Sequence, residues 1–112
     1  MPEPTIDTAI YDELKETAGV EFAAELAGTF LEEAPPLLAE LRRACGAGDA
    51  VATARAAHSL KSNALTFGAM PLGAMARAIE LGGLAAATDT ALQVLDDEYA
   101  RAAAVLEALR HV

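Results

Sequence analysis

Apolar residues in this chain recur every three or four positions, and glycines cut that rhythm into short blocks. Leu92, Leu95, Tyr99, Ala102, Leu106 and Leu109 keep it in the last block, and Leu72, Met75, Ala76 and Ile79 in the one before. This is the spacing of one helical face. No long run alternates in the two-residue period of a strand. The breaks fall at Gly19, at Gly46-Ala47-Gly48, at Gly68 and at Gly82-Gly83, and glycine commonly ends a helix. Hydrophobic residues make up 54% of the chain and aromatics only 4%, so the core is built from Ala, Leu, Val and Ile. Alanine and leucine are also the best helix formers. The expected class is all-α. At 112 residues the chain is expected to form a single domain over 1–112 around one core.

The elements follow in order. Met1–Thr5, with Pro2 and Pro4, reads as an extended lead-in. Asp7 is placed to cap a short first helix that ends near Gly19. A second helix is expected from Val20 to about Cys45, with Phe22, Leu26 and Phe30 on one stripe, continued by Leu37, Leu38, Leu41 and Cys45. Pro35-Pro36 lies inside it, and proline removes a backbone donor and clashes one turn back, so a kink or break is expected there within one bent element. Asp49 caps a third helix, from about Ala50 to Phe67. Gly68-Ala69-Met70-Pro71 reads as a tight connection into a fourth, and short connections make antiparallel neighbours. The last helix starts at Thr88 or Asp89. The sum is an antiparallel four-helix bundle with a short additional N-terminal helix.

Charge and composition narrow the function. A formal net charge of −9 disfavours nucleic acid and anionic lipid surfaces. The lone Cys45 has no partner for an internal disulfide, and its place on an apolar stripe suits a core residue better than a reactive one. The only other histidine besides His58 is His111, so no metal-ligand cluster is expected. The first residues lack the basic-then-apolar pattern of a secretion signal, and no run of about 18 apolar residues suggests a membrane span. A cytoplasmic protein is expected.

The stretch that carries chemistry is Ala57-His58-Ser59-Leu60-Lys61-Ser62-Asn63-Ala64-Leu65-Thr66-Phe67-Gly68. Ala57, Leu60, Ala64 and Phe67 form its buried face. His58, Lys61, Ser62 and Leu65 follow the i, i+3, i+4, i+7 rule on another. An imidazole can act as a nucleophile, and a lysine beside it can hold an anion. Read alone, a histidine here is as easily an ordinary surface residue. Glu80 adds to the pattern. His58 lies ten residues before Gly68 and Glu80 twelve after it. At a rise of about 1.5 Å per residue both stand roughly 15–18 Å from the turn. Glu80 is therefore a candidate acceptor for one ring nitrogen of His58, although a solvated helix-end glutamate satisfies the same spacing.

His58-Ser59-Leu60-Lys61, followed by Gly68-Ala69 and then Ala78-Ile79-Glu80, resembles the histidine phosphotransfer (HPt) domain family. The resemblance covers nearly the whole chain. It implies a helical bundle with the active histidine on a mid-bundle helix. It also implies a phosphorelay intermediate that takes a phosphoryl group from a receiver-domain aspartate on His58 and passes it to another. In that role Lys61 would hold the phosphoryl oxygens, and Glu80, where the family often has Glu or Gln, would orient the ring. Ile10, Leu14, Phe22, Leu26 and Leu65 would form an apolar docking patch, though in a plain bundle Ile10 and Leu14 are core. Partners would be response-regulator receiver domains or a hybrid histidine kinase, met by a monomer. The chain would need no cofactor of its own, since Mg²⁺ and the aspartate come with the receiver. No Gly-rich nucleotide loop is present, so autophosphorylation from ATP is not expected. Ser62 departs from the family's glycine but is the next smallest polar choice. Arg55, one turn before His58, can attract an acidic partner or simply be solvated. The main alternative is a non-catalytic helical adaptor in which His58 is incidental. The phosphoacceptor domain of a sensor kinase fits less well, because Ser59 stands where that domain has an acidic residue. A hydrolase fits least, since no serine or cysteine nucleophile is paired with a base.

Overall fold

The computed structural model describes residues 4–111, and all regular structure in them is helical. Five α-helices follow one another: α1 (Thr8–Ala18), α2 (Val20–Gly46), α3 (Ala50–Thr66), α4 (Met70–Gly82) and α5 (Asp89–Arg110), with a short 3₁₀ turn at Gly83–Ala85 before α5. Of the expected lead-in, Met1–Glu3 lie outside the described residues, and Pro4 and Thr5 are not helical. Local chemistry fixes the starts. Asp7, Asp49 and Thr88 each accept a hydrogen bond from a backbone N–H two or three residues on, satisfying donors that a helix start leaves open.

Helices α2, α3, α4 and α5 each pack on the next and α5 closes on α2, so they form four walls, with α1 laid against α2. Paired residues give the directions. Phe30 stacks on Phe67 with ring centroids 5.3 Å apart, while Cys45 Sγ lies 3.7 Å from Thr53 Oγ1, so α3 runs back along α2. Arg110 donates to the Ala24 carbonyl and Arg42 pairs with Asp96, so α5 also runs against α2. The core follows the expected face of α3: Ala57, Leu60, Ala64 and Phe67 are all buried. Leu72, Ala76 and Ile79 of α4 are buried with Leu92, Leu95, Ala102 and Leu106 of α5.

One expectation for α2 needs correction. Its buried stripe runs through Ala23, Ala27, Phe30, Ala34, Leu38 and Leu41, not through Phe22 and Leu26. Phe22 is 51% exposed, and Leu26 is only partly buried at the edge of the core. The small side chains face inward because they let neighbouring helices approach. The proline pair leaves α2 a single element, as expected: the helix is continuous across Pro35 and Pro36. Pro35 has no N–H for the Leu31 carbonyl, and the Tyr99 hydroxyl donates to that oxygen instead, at 3.4 Å. Both prolines face outward, where their rings cost no core contact. Burial pushes the Tyr99 phenol above its ordinary pKa, so it remains a proton donor.

Gly68 sets the turn between α3 and α4. Its φ of 78° lies in the left-handed region, and a Cβ there would meet the Asp7 carbonyl oxygen at 2.5 Å. Asp7 N–H in turn donates to the Gly68 carbonyl at 2.7 Å, which ties the start of α1 to this turn. Gly68→Ala is therefore expected to cost about 2 kcal/mol or more, from backbone strain and loss of that close contact. Gly46→Ala is the control: nothing lies within 4 Å of its Cβ position. It should be neutral or stabilising by about 0.5 kcal/mol. Urea midpoints of the two variants check this; equal midpoints would remove the constraint assigned to Gly68.

Candidate functional site

The α3–α4 hairpin places His58 and Glu80 side by side, as their distances from the turn require. Gly73 of α4 lies directly under Leu65 of α3: a Cβ there would meet the end of that side chain at 2.7 Å. One Glu80 oxygen, Oε2, lies 2.6 Å from His58 Nδ1, and the other, Oε1, accepts from Lys61 Nζ at 2.8 Å. Glu80 thus bridges the two α3 side chains with its two oxygens. The hydrogen bond from the Lys61 ammonium holds the Glu80 carboxyl below its ordinary pKa of 4.5; burial works against it, and the His58 ring lowers it further. An ionised carboxylate only accepts hydrogen bonds. Nδ1 therefore carries the proton, and in the neutral ring Nε2 keeps a free lone pair.

Exposure separates the three side chains. His58 is 57% exposed, while Lys61 and Glu80 are each 21% exposed. Lys61 is turned toward α4 rather than outward with His58. Ser62 is exposed one turn beyond His58, and its carbonyl accepts from the Thr66 hydroxyl at 3.0 Å. Leu65 is exposed one turn further.

The other residues of the expected apolar patch do not gather around His58. Ile10 sits beside Gly68, about 15 Å along the bundle from His58. Leu14 and Leu26 pack against the core. Phe22 is exposed, but the α2 residue that shares a groove with Ser59 is Leu37, and Phe22 stands fifteen residues, or about 22 Å, before it. It lines a shallow groove with Ala18, Val20 and Glu25 at the far end of α2. Sequence reasoning missed an apolar residue on the other side of the histidine. Val51 is 67% exposed and lies two turns before His58 on the stripe Val51, Arg55, His58, Ser62, Leu65. The seven-residue spacing of Val51, His58 and Leu65 was the available signal. Leu84, in the turn that packs on α3, is also partly exposed.

Among the described residues no group of three or more His, Cys, Asp or Glu is arranged to hold a metal ion. No helix there is long and apolar enough to cross a membrane.

The family model of the Hpt domain matches residues 25–105, which include the whole of α3 and α4. The chain belongs to the Hpt domain family. Membership gives it a role in histidine phosphotransfer within a phosphorelay. The Hpt fold is seen again in the crystal structure of histidine-containing phosphotransfer protein B (HptB) from Pseudomonas aeruginosa PAO1. That structure matches with a TM-score of 0.86 and 25% identity, over 98% of this chain and 97% of that one. A search of curated proteins finds no match.

The Glu80 environment gives a pH prediction. A carboxyl whose folded pKa is depressed stabilises the fold above its unfolded pKa, and that stability is lost as pH falls through the folded value. A ¹³C titration should put the Glu80 midpoint below 4.5, and Lys61→Met should move it upward. Glu80→Gln should flatten the dependence of stability on pH just below 4.5. A wild-type midpoint at or above 4.5 would contradict the bridge.

Proposed function

We propose that this Hpt domain is an intermediate carrier between receiver domains: His58 accepts a phosphoryl group from a receiver's aspartyl phosphate and yields it to the aspartate of a second receiver. The observation that supports this is the hydrogen bond at 2.6 Å between Nδ1 and Glu80 on a ring that is more than half exposed. It leaves Nε2 as the attacking atom, held on a rigid helix and open to a partner.

The step balances without a proton transfer. The Nε2 lone pair forms a bond to phosphorus, and the bond from phosphorus to the aspartyl oxygen breaks, its electrons leaving with the carboxylate. Nδ1 keeps its proton throughout. The ring gains positive character as the bond forms, and the adjoining Glu80 carboxylate offsets it. The transferring group is close to a free anion in the transition state, so positioning and charge account for most of the catalysis. Return to a second aspartate is the same step reversed. Lys61 is the nearest cation for the phosphoryl oxygens, and Ser62 is small enough to let them approach.

The partner is a receiver domain, free or within a hybrid histidine kinase, docking over the stripe that carries His58 with Val51 and Leu65 about 10 Å to either side. Mg²⁺ belongs to the receiver's site. The carrier works as a monomer in the cytoplasm, where receivers are, and has no autokinase activity.

The test mixes ³²P-labelled receivers with the protein and with His58→Gln. Acid-labile label should appear on the wild type alone, and labelled ATP without a receiver should leave it unlabelled. Glu80→Gln should slow transfer about tenfold, since it keeps an acceptor but loses the charge. Label on His58→Gln, or none on folded wild type from any receiver, would overturn the reading and favour the adaptor.

A further inference from the structure

We infer that Arg55 and Arg77 form a positive frame around His58 that draws in and orients the carboxylate-lined phosphorylation site of a receiver. This rests on the relay reading above and deepens it, since it names the chemistry of the docking face. The basis is how charge is divided. Residues 50–82, the α3–α4 hairpin, contain Arg55, Lys61 and Arg77 but only one acid, Glu80. They carry a formal +2 on a chain of −9, so the remainder carries −11. Pairing divides in the same way. Of the eight Lys and Arg side chains, six lie in salt bridges with Asp or Glu. Arg55 and Arg77 have no such partner among the described residues, and both are exposed. The sequence gives the reason: α3 has no acid of its own, and the one acid of α4, Glu80, is held by His58 and Lys61.

The two arginines bracket the histidine. Arg55 precedes it by one turn on the exposed stripe of α3. On α4, Gly73, Arg77 and Glu80 follow the i, i+4, i+7 spacing of one face. Gly73 lies under Leu65 and Glu80 beside His58, so Arg77 stands on the rim between them. Each arginine is about 4.5 Å along the bundle from the level of His58, on opposite sides of it. That is within the screening length of about 8 Å at physiological salt. A receiver presents the opposite charge there. Its reacting group is an aspartate, and Mg²⁺ beside it is held by oxygen ligands that include carboxylates. Such a face is attracted to the hairpin and repelled by the acidic remainder, so the frame favours one orientation of approach and raises its rate.

Transfer from a ³²P-labelled receiver is followed over a range of receiver concentrations, so that the half-saturating concentration and the limiting rate separate. At low salt Arg55→Gln and Arg77→Gln should each raise the half-saturating concentration about threefold, and together about tenfold, with the limiting rate changed by less than about twofold. Added salt should weaken the wild type more than the double variant. Lys15→Gln removes the same charge from α1 and should shift neither quantity by more than about twofold. A loss confined to the limiting rate, or an equal shift in Lys15→Gln, would overturn the inference. The second readout uses the unphosphorylated protein without any partner. An anionic nitroxide in solution should relax the amide protons near Arg55 and Arg77 more than a neutral nitroxide does, and the excess should vanish in the double variant. No excess in the wild type would overturn the positive frame. Failure of the relay reading looks different: no receiver would label the wild type, while the anionic probe would still gather at the hairpin.

Discussion

The close approach of α3 and α4 is the constraint on which the site depends. Ala57, Ala64, Ala69 and Ala76 are fully buried between or beside these helices, and Gly73 leaves room for Leu65. Helix axes separate according to the side chains at their contact, within about 8–10 Å. Larger residues at these positions would move α4 away, and the side chain of Glu80 would no longer span to two partners on α3. The reversal at Gly68 fixes the register of the same pair. Spacing and register together bring residues 58 and 80 to one level, so the packing of small residues is also the design of the site.

Much of this was legible in the sequence. Glycines and capping aspartates marked the helix ends to within a residue or two, because caps depend on a few local atoms. The level of His58 and Glu80 followed from counting residues to the turn. Their facing did not, since it depends on how far each helix is rotated about its axis. The inward face of α2 was misread for a related reason. A stripe through Phe22 and Leu26 is the more hydrophobic choice, yet in the first turns Ala23 and Ala27 face inward, while Phe30, Leu38 and Leu41 are buried as expected. Glu98 was not foreseen at all. It is buried on α5, with Oε1 held by Arg101 and Oε2 without a hydrogen-bond partner. Nothing in its local sequence separates it from the exposed acids around it. The docking patch was drawn from resemblance and spread along the bundle, whereas the seven-residue stripe on α3 keeps its members near His58.

The site divides exposure between its parts. The His58 ring is open, and the two charges behind it are largely covered and paired with each other. Lys61 and Glu80 sum to zero, so the imidazole sits beside a locally neutral pair on a strongly acidic protein. Covering the pair keeps solvent from competing for its hydrogen bonds. Leaving the ring open preserves access to Nε2.

The Tyr99 hydroxyl on the Leu31 carbonyl links α5 to the proline pair of α2. This makes the order of sequence change matter during divergence. A lineage that first replaces Pro35 with a residue bearing an N–H regains the intrahelical bond, and Tyr99 is then free to become phenylalanine. A lineage that replaces Tyr99 first leaves a carbonyl at a helix contact without a donor. Two residues 64 positions apart in the chain are thus expected to vary together across relatives, with the proline the first of the two to go.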